Sequence, residues 1–176
     1  MLNIVLAGFM GTGKSTVGRL LSRMLKERFL DLDDLIEKEA GVSISEIFST
    51  LGEARFRALE SGVIEKLAAG EFGDGLIIST GGGAVVSPAN RKALRGWGTL
   101  VCLTASVDEI LGRVGRRDDR PLLRTEDVRG EIERLLAQRE EAYGDCDLMV
   151  DTTSVPAEEV ARRIKEFAEG GTDRNG

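Results

Sequence analysis

The eight residues Gly8-Phe9-Met10-Gly11-Thr12-Gly13-Lys14-Ser15 fit the pattern GxxxxGK[ST]. Glycines at this spacing let backbone N–H groups turn inward around phosphate oxygens, and a helix starting at Lys14 adds the positive end of its dipole. Lys14 suits the β- and γ-phosphates, and the Ser15 hydroxyl suits Mg²⁺. Gly11, Thr12, Gly13, Lys14, Ser15 and the following Thr16 are the expected nucleotide contacts. The plainer alternative is a strand–helix turn that binds nothing. The loop specifies a nucleoside triphosphate without saying what is done with it. A Walker-B strand would end in Asp, yet Leu76-Ile77-Ile78 ends in Ser79, and the Asn-Lys-x-Asp signature of guanine readers is absent. A chain of 176 residues leaves no room for a motor or transporter partner domain, so a small kinase remains.

Further residues fit that chemistry. Asp31 and Asp33 follow a short apolar run, and side chains two apart on an extended segment face one side. One carboxylate near Mg²⁺ and one near an acceptor hydroxyl is a kinase arrangement. The alternative is that these acids cap the next helix, with Asp34 best placed to do so. Glu53, Arg57 and Glu60 share a helix face. They are either an exposed ion-pair ladder of little worth or a guanidinium that Glu60 aims at an anionic substrate. Gly81-Gly82-Gly83 after a strand allows close backbone approach to a ligand, where a plain turn would carry the entropy of three glycines. Arg113, Arg116, Arg117, Arg120 and Arg124 surround a charged stretch that closes on Arg120-Pro121-Leu122-Leu123. It reads as a solvated run or as a lid that brings an arginine over the phosphates and excludes water. Arg139 lies one helical turn from Tyr143 and gains meaning as a second cation for an acidic acceptor.

Composition narrows the chemistry from another side. There is no histidine, which excludes Ser-His-Asp triads, Cys-His pairs and His-ligated metals, so a base must be a carboxylate, a lysine or water. Lys plus Arg is 24 against 30 for Asp plus Glu, and a net charge of −6 speaks against nucleic acid and anionic membrane as partners. Cys102 and Cys146 both sit in apolar stretches and read as core thiols. The N-terminal apolar run has no basic flank and leads into the glycine loop, so it reads as a strand rather than a signal peptide. No apolar stretch approaches the roughly 18 residues of a membrane span. A cytoplasmic monomer is the expectation.

Short apolar runs alternate with helical patterns, which is the mark of βαβ units and a parallel sheet covered on both faces. Strands are expected at Asn3–Ala7, Phe29–Asp31, Leu76–Ser79, Thr99–Leu103 and Leu148–Val150. Helices are expected at Lys14–Glu27, Asp34–Ala40, from Ser43, from Gly52 to Ala69, from Pro88 to Arg95, from Ser106 to Val114, up to Tyr143, and from Pro156 to Ala168. Ser43 with Glu46 and Ser106 with Glu109 form capping-box patterns, and Ser87-Pro88 is a helix start. The reading is a single α/β domain over 1–176, with a helical segment at about 32–61, a lid at about 113–124 and a frayed tail at 170–176.

Taken in order, these residues resemble the shikimate kinase family, a member of the nucleoside-monophosphate-kinase group of P-loop proteins. The resemblance runs from Gly8 to about Pro156. It rests on the phosphate loop, Phe29-Leu30-Asp31-Leu32-Asp33 with Ile36-Glu37, Glu46-Ile47-Phe48, Gly52-Glu53, Phe56-Arg57 with Glu60, the glycine triplet, Arg120–Leu123, and Arg139 with Tyr143. Leu32 departs from it, standing where a small polar residue is common. The resemblance implies a three-layer fold with sheet order 2-3-1-4-5 and MgATP-dependent phosphorylation of the shikimate 3-hydroxyl. It implies that Asp33 binds the acceptor hydroxyls and acts as base, while Arg57 and Arg139 pair with the shikimate carboxylate. Gly81 and Gly82 would line the acceptor pocket, Lys14 and Arg120 would stabilise the transferring group, and Ser15 and Asp31 would serve Mg²⁺. Arg113 would stack on adenine, with Pro156 in the adenine-side loop.

Other acceptors remain open at this point. A gluconate kinase would not need two arginines for one carboxylate, and a nucleotide kinase would need more cations and a base pocket. A non-catalytic ATP-binding module would have no use for Asp33 beside an arginine pair.

Overall fold

In the computed structural model, which describes residues 2–114 and 127–172, five parallel strands lie in the order β2-β3-β1-β4-β5. They are β1 (Ile4–Gly8), β2 (Arg28–Asp31), β3 (Leu76–Ser79), β4 (Thr99–Thr104) and β5 (Leu148–Asp151). This is the order that the resemblance implies.

β1 reads Ile-Val-Leu-Ala-Gly and is buried throughout, because alternate side chains enter two different cores. Ile4 and Leu6 pack with Ile77 against α1 (Lys14–Leu25) and α8 (Ala157–Thr172), meeting Val17, Leu21, Val160 and Ile164. Val5 and Ala7 enter the larger core on the opposite face. That core is covered by α2 (Leu32–Ala40), α3 (Ile44–Thr50), α4 (Gly52–Ala68), α5 (Pro88–Trp97), α6 (Val107–Val114) and α7 (Val128–Gly144). Each fully buried aliphatic side chain contributes about 1.5–3 kcal/mol, so a strand buried on both faces is hard to move. Cys102 is one of these core side chains on β4, and burial pushes its thiol up to about 12, which leaves it unreactive.

The predicted helix starts carry the expected caps at Ser43, Ser87 and Ser106. Their hydroxyls accept from Glu46 N at 3.2 Å, Asn90 N at 3.4 Å and Glu109 N at 3.2 Å. The start of α2 differs from the expectation. It begins at Leu32, and its N-cap is Asp31 rather than Asp34, with Asp31 Oδ1 accepting from Asp33 N at 3.1 Å. The reason is Leu32, which is wholly buried and turns the chain into the core immediately after β2. The expected extended geometry from Asp31 to Asp33 therefore does not exist, and Asp33 stands in the first turn of a helix. At the other end of the chain, α8 continues past the expected Ala168 to Thr172, with Gly170 and Gly171 in it, while residues 173–176 of the expected frayed tail lie outside the described residues. A glycine costs a helix only about 1 kcal/mol, which an established ladder tolerates. A short 3₁₀ turn, Ala84–Val86, follows the glycine triplet with no local pattern to announce it.

Because all the strands are parallel, the ends carrying Gly8, Asp31 and Ser79 share one edge of the sheet. The chain crosses from one side of β1 to the other between β3 and β4, and ligands of open α/β sheets collect at such a crossing. Of the expected lid, Arg116, Arg117, Arg120 and Arg124 lie outside the described residues.

Candidate active site

A cleft of about 970 Å³ opens along that edge. Gly11, Thr12, Gly13, Lys14, Ser15 and Thr16 line one side of it, and Asp31, Asp33, Ser79, Thr80, Gly81 and Gly82 line another. The loop takes its shape from glycines at positive φ (Gly8 +131°, Gly11 +75°, Gly13 +93°). At Gly8 a Cβ would also stand 2.2 Å from the Leu103 carbonyl oxygen of β4, so only glycine fits. Lys14 Nζ donates to the carbonyls of Gly8 and Phe9, both at 2.8 Å, which holds the ammonium over the loop. The buried Thr12 hydroxyl donates to Phe9 O at 2.8 Å and closes the turn from inside.

The corner beside the loop is built from oxygen. Ser15 Oγ donates to Asp31 Oδ2 at 3.1 Å, while the other oxygen of Asp31 caps α2. Asp31 is therefore both a cap and a neighbour of the phosphate loop. Among the described residues no group of three or more His, Cys, Asp or Glu could enclose a metal. A hydroxyl and one carboxylate beside a phosphate site nonetheless fit Mg²⁺, which keeps most of its waters and takes few protein ligands.

The acceptor side is organised around Gly81–Gly83. A Cβ on Gly81 would lie 3.3 Å from Asp33 Oδ1 and 3.5 Å from Glu60 Oε1. On Gly82 it would lie 3.4 Å from Arg139 Nη1, and on Gly83 only 2.6 Å from Arg57 Nη2. The triplet thus packs against groups from α2, α4 and α7 at once. Asp33 lines the cleft itself; Arg57 and Arg139 are not part of that lining and stand around the triplet.

The ladder on α4 turns out to have two unequal halves. Glu53 meets Arg57 at 3.4 Å and is exposed, whereas Glu60 meets it at 2.8 Å and is 1% exposed. Burial pushes the Glu60 carboxyl above the usual range, opposed by Arg57 and then Arg139. Burial pulls Arg57 down, but the bonds to Glu60 and Glu53 more than offset this and hold the guanidinium charged. The Arg57 guanidinium also lies 5.1 Å over the Phe56 ring, and that of Arg139 lies 5.7 Å over Phe9. Tyr143 donates from its hydroxyl to Gly82 O at 2.7 Å and sits 3.5 Å from Arg139 Nη1. The pairing of Arg139 and Tyr143 was visible in the sequence; the anchor on Gly82 was not.

On the far side of the loop, Arg113 lines the cleft with most of its donors engaged. Nη1 donates to Gly11 O at 3.0 Å and Thr152 Oγ1 at 3.1 Å; Nη2 donates to Glu109 at 2.7 Å and Thr152 O at 3.2 Å. Thr152 escaped the sequence reading, since a single threonine after β5 carries no motif. Its buried hydroxyl lies 2.9 Å from Thr104 O and 3.2 Å from Thr12 O, and so joins β4, the loop and Arg113. Pro156 is not among the lining residues, although Val155 and Ala157 on either side of it are.

Comparison with known proteins points to one family. The family model described as shikimate kinase matches residues 10–169. The shikimate kinase of Geobacter sulfurreducens is 48% identical over 165 residues, covering 94% of this chain and 90% of that protein. The solved structure of Acinetobacter baumannii shikimate kinase in complex with shikimate superposes with a TM-score of 0.90 at 35% identity, covering 97% of this chain and 94% of that one. A gluconokinase from Sinorhizobium meliloti shares the fold alone, with a TM-score of 0.60 at 18% identity over 99% and 98% of the two chains. On its sequence, its sheet order and its matched length, the chain belongs to the shikimate kinase family.

Proposed function

We propose that the groups around Gly81–Gly83 form the acceptor site for the family's reaction, ATP-dependent phosphorylation of shikimate at its 3-hydroxyl. One observation carries the reading: a carboxylate from α2 and guanidinium groups from α4 and α7 meet the same three glycines at the mouth of the phosphate loop. Asp33 takes the acceptor hydroxyls and accepts the proton. Arg57 and Arg139 fork onto the carboxylate of the acceptor, with Arg57 aimed by Glu60. Gly81 and Gly82 let the ring approach the backbone. Lys14 faces the transferring group, and Arg120 joins it on the resemblance.

Ser15 and Asp31 would hold Mg²⁺, which when bound neutralises charge that develops on the phosphate oxygens. The engaged guanidinium of Arg113 offers its flat face to adenine, with Pro156 in the adenine-side loop. Gly11, Thr12, Gly13 and Thr16 supply the remaining nucleotide contacts. The enzyme is read as a cytoplasmic monomer whose partners are these small molecules rather than nucleic acid or membrane. The net charge of −6 supports that reading, and so does the fact that no described helix is long and apolar enough to span a bilayer.

The test is ADP release with MgATP and three acceptors. Release is expected with shikimate and not with gluconate or AMP. No shikimate-dependent release would overturn the reading.

A further inference from the structure

β3 reads Leu-Ile-Ile-Ser, and all four residues are buried. Alternation puts Ser79 on the face of Ile77, which packs against Val17 and Leu21 of α1. A third aliphatic residue would suit that face. A hydroxyl stands there instead, 2% exposed, at the strand end where a Walker-B strand would carry Asp. Burying a hydroxyl without compensation costs about 1–3 kcal/mol, so its partners matter.

Among the described residues, the contact of Ser79 Oγ within hydrogen-bond range is Ser15 Oγ, at 3.5 Å. Ser15 has one proton and donates it to Asp31 Oδ2 at 3.1 Å. Ser79 must then be the donor toward Ser15, and its own lone pairs remain open to a further donor. The neighbouring Thr80 provides a contrast, since its hydroxyl donates to Leu6 O at 3.2 Å and serves the sheet. The strand register places Ser79 beside Asp31, and both line the cleft. Ser15, Asp31 and Ser79 therefore present oxygens to one corner. The Ser79 oxygen can accept from a further donor there, and the water shell of a divalent cation consists of donors.

We propose that Ser79 accepts a hydrogen bond from a water bound to the cation that Ser15 and Asp31 hold, and so stands in for the strand-end carboxylate. The proposal rests on the reading of Ser15 and Asp31 as the metal side of the site. Its test needs neither acceptor nor turnover, so its failure is distinct from a failure of the acceptor panel above.

Mn²⁺ binding to the enzyme–ADP complex is measured from the free-ion electron paramagnetic resonance signal, and ADP binding is measured separately in EDTA. Ser79→Ala is expected to weaken Mn²⁺ binding about 10-fold, the lower end for loss of an outer-shell partner, while the metal-free ADP affinity stays the same. Ser79→Thr keeps the hydroxyl and is expected to keep the Mn²⁺ affinity. Native Mn²⁺ affinity in Ser79→Ala would overturn the proposal. An equal loss of ADP affinity with and without metal would also overturn it, because Ser79 would then act through the shape of the loop.

Discussion

The two walls of the cleft are built by different means. The nucleotide wall is mainly backbone. Glycines at positive φ shape the loop, its carbonyls hold Lys14, and the carbonyls of Gly11 and Thr152 hold Arg113. The acceptor wall is made by side chains. Asp33, Arg57, Glu60 and Arg139 come from three helices and meet only because Gly81–Gly83 leave room for them. Backbone geometry tolerates many sequences, so the nucleotide wall follows from a short contiguous motif. A wall of side chains depends on each residue and on its support, and acceptor choice is therefore concentrated in a few atoms.

Changes on the acceptor wall should therefore alter the transfer step or the shikimate KM and leave the ATP KM alone. The largest effect is expected at Asp33, which among the described residues is the carboxylate that both approaches Gly81 and lines the cleft. Asp33→Asn should lower kcat by about 10²–10⁴ if the carboxylate takes the proton. A negligible fall would reduce it to a positioning group. Next is Arg57→Lys, which keeps the charge and loses the fork. A charge-assisted hydrogen bond is worth about 1.5–3 kcal/mol, so the shikimate KM should rise about 10- to 100-fold with the ATP KM unchanged.

Gly83→Ala tests the same wall without removing a charged group. Its Cβ would collide with the Arg57 guanidinium, and steady-state kinetics should show a shikimate KM raised about 10-fold, because small misplacements of a clamp are costly. Thr152→Val works from the other side. It deletes the hydroxyl that joins Arg113 to the loop, and is expected to raise the ATP KM about fivefold while sparing shikimate. The smallest change is expected for Tyr143→Phe, which loses one bond to Gly82 O and should raise the shikimate KM about threefold. Equal effects of Arg57→Lys, Gly83→Ala, Thr152→Val or Tyr143→Phe on both KM values would erase the distinction between the walls.

The same division explains what could be read from the chain. The phosphate loop was legible because its residues are consecutive and lie between an apolar strand and a helical pattern. The strands were legible for the same local reason, and Leu76–Ser79 was predicted to the residue. The start of α2 was not, because the burial of Leu32 decides it and burial is a property of the whole fold. Asp31 was legible as a carboxylate near the loop or as one of the acids that could cap the next helix, but not as both at once, which it is because one oxygen serves each purpose. On the acceptor wall the residue types were visible, but their meeting place was not. Tyr143 and Gly82 are 61 positions apart, and Thr12 and Thr152 are 140 apart. Ser79 looked like a missing acid in the sequence, and only the strand register shows what stands beside it.

The negative net charge and the anionic ligands are reconciled by this arrangement as well. The cations that matter are few, and the fold gathers Lys14, Arg113, Arg57 and Arg139 near one sheet edge whatever the total charge. On this arrangement an anionic acceptor is chosen by guanidinium groups behind the glycine triplet. Comparing shikimate with its carboxamide tests this most directly, since the amide keeps the ring and hydroxyls and removes the charge. For the amide, kcat/KM is expected to fall at least about 100-fold, because two charge-assisted pairs are lost. Equal use of the two acceptors would contradict it.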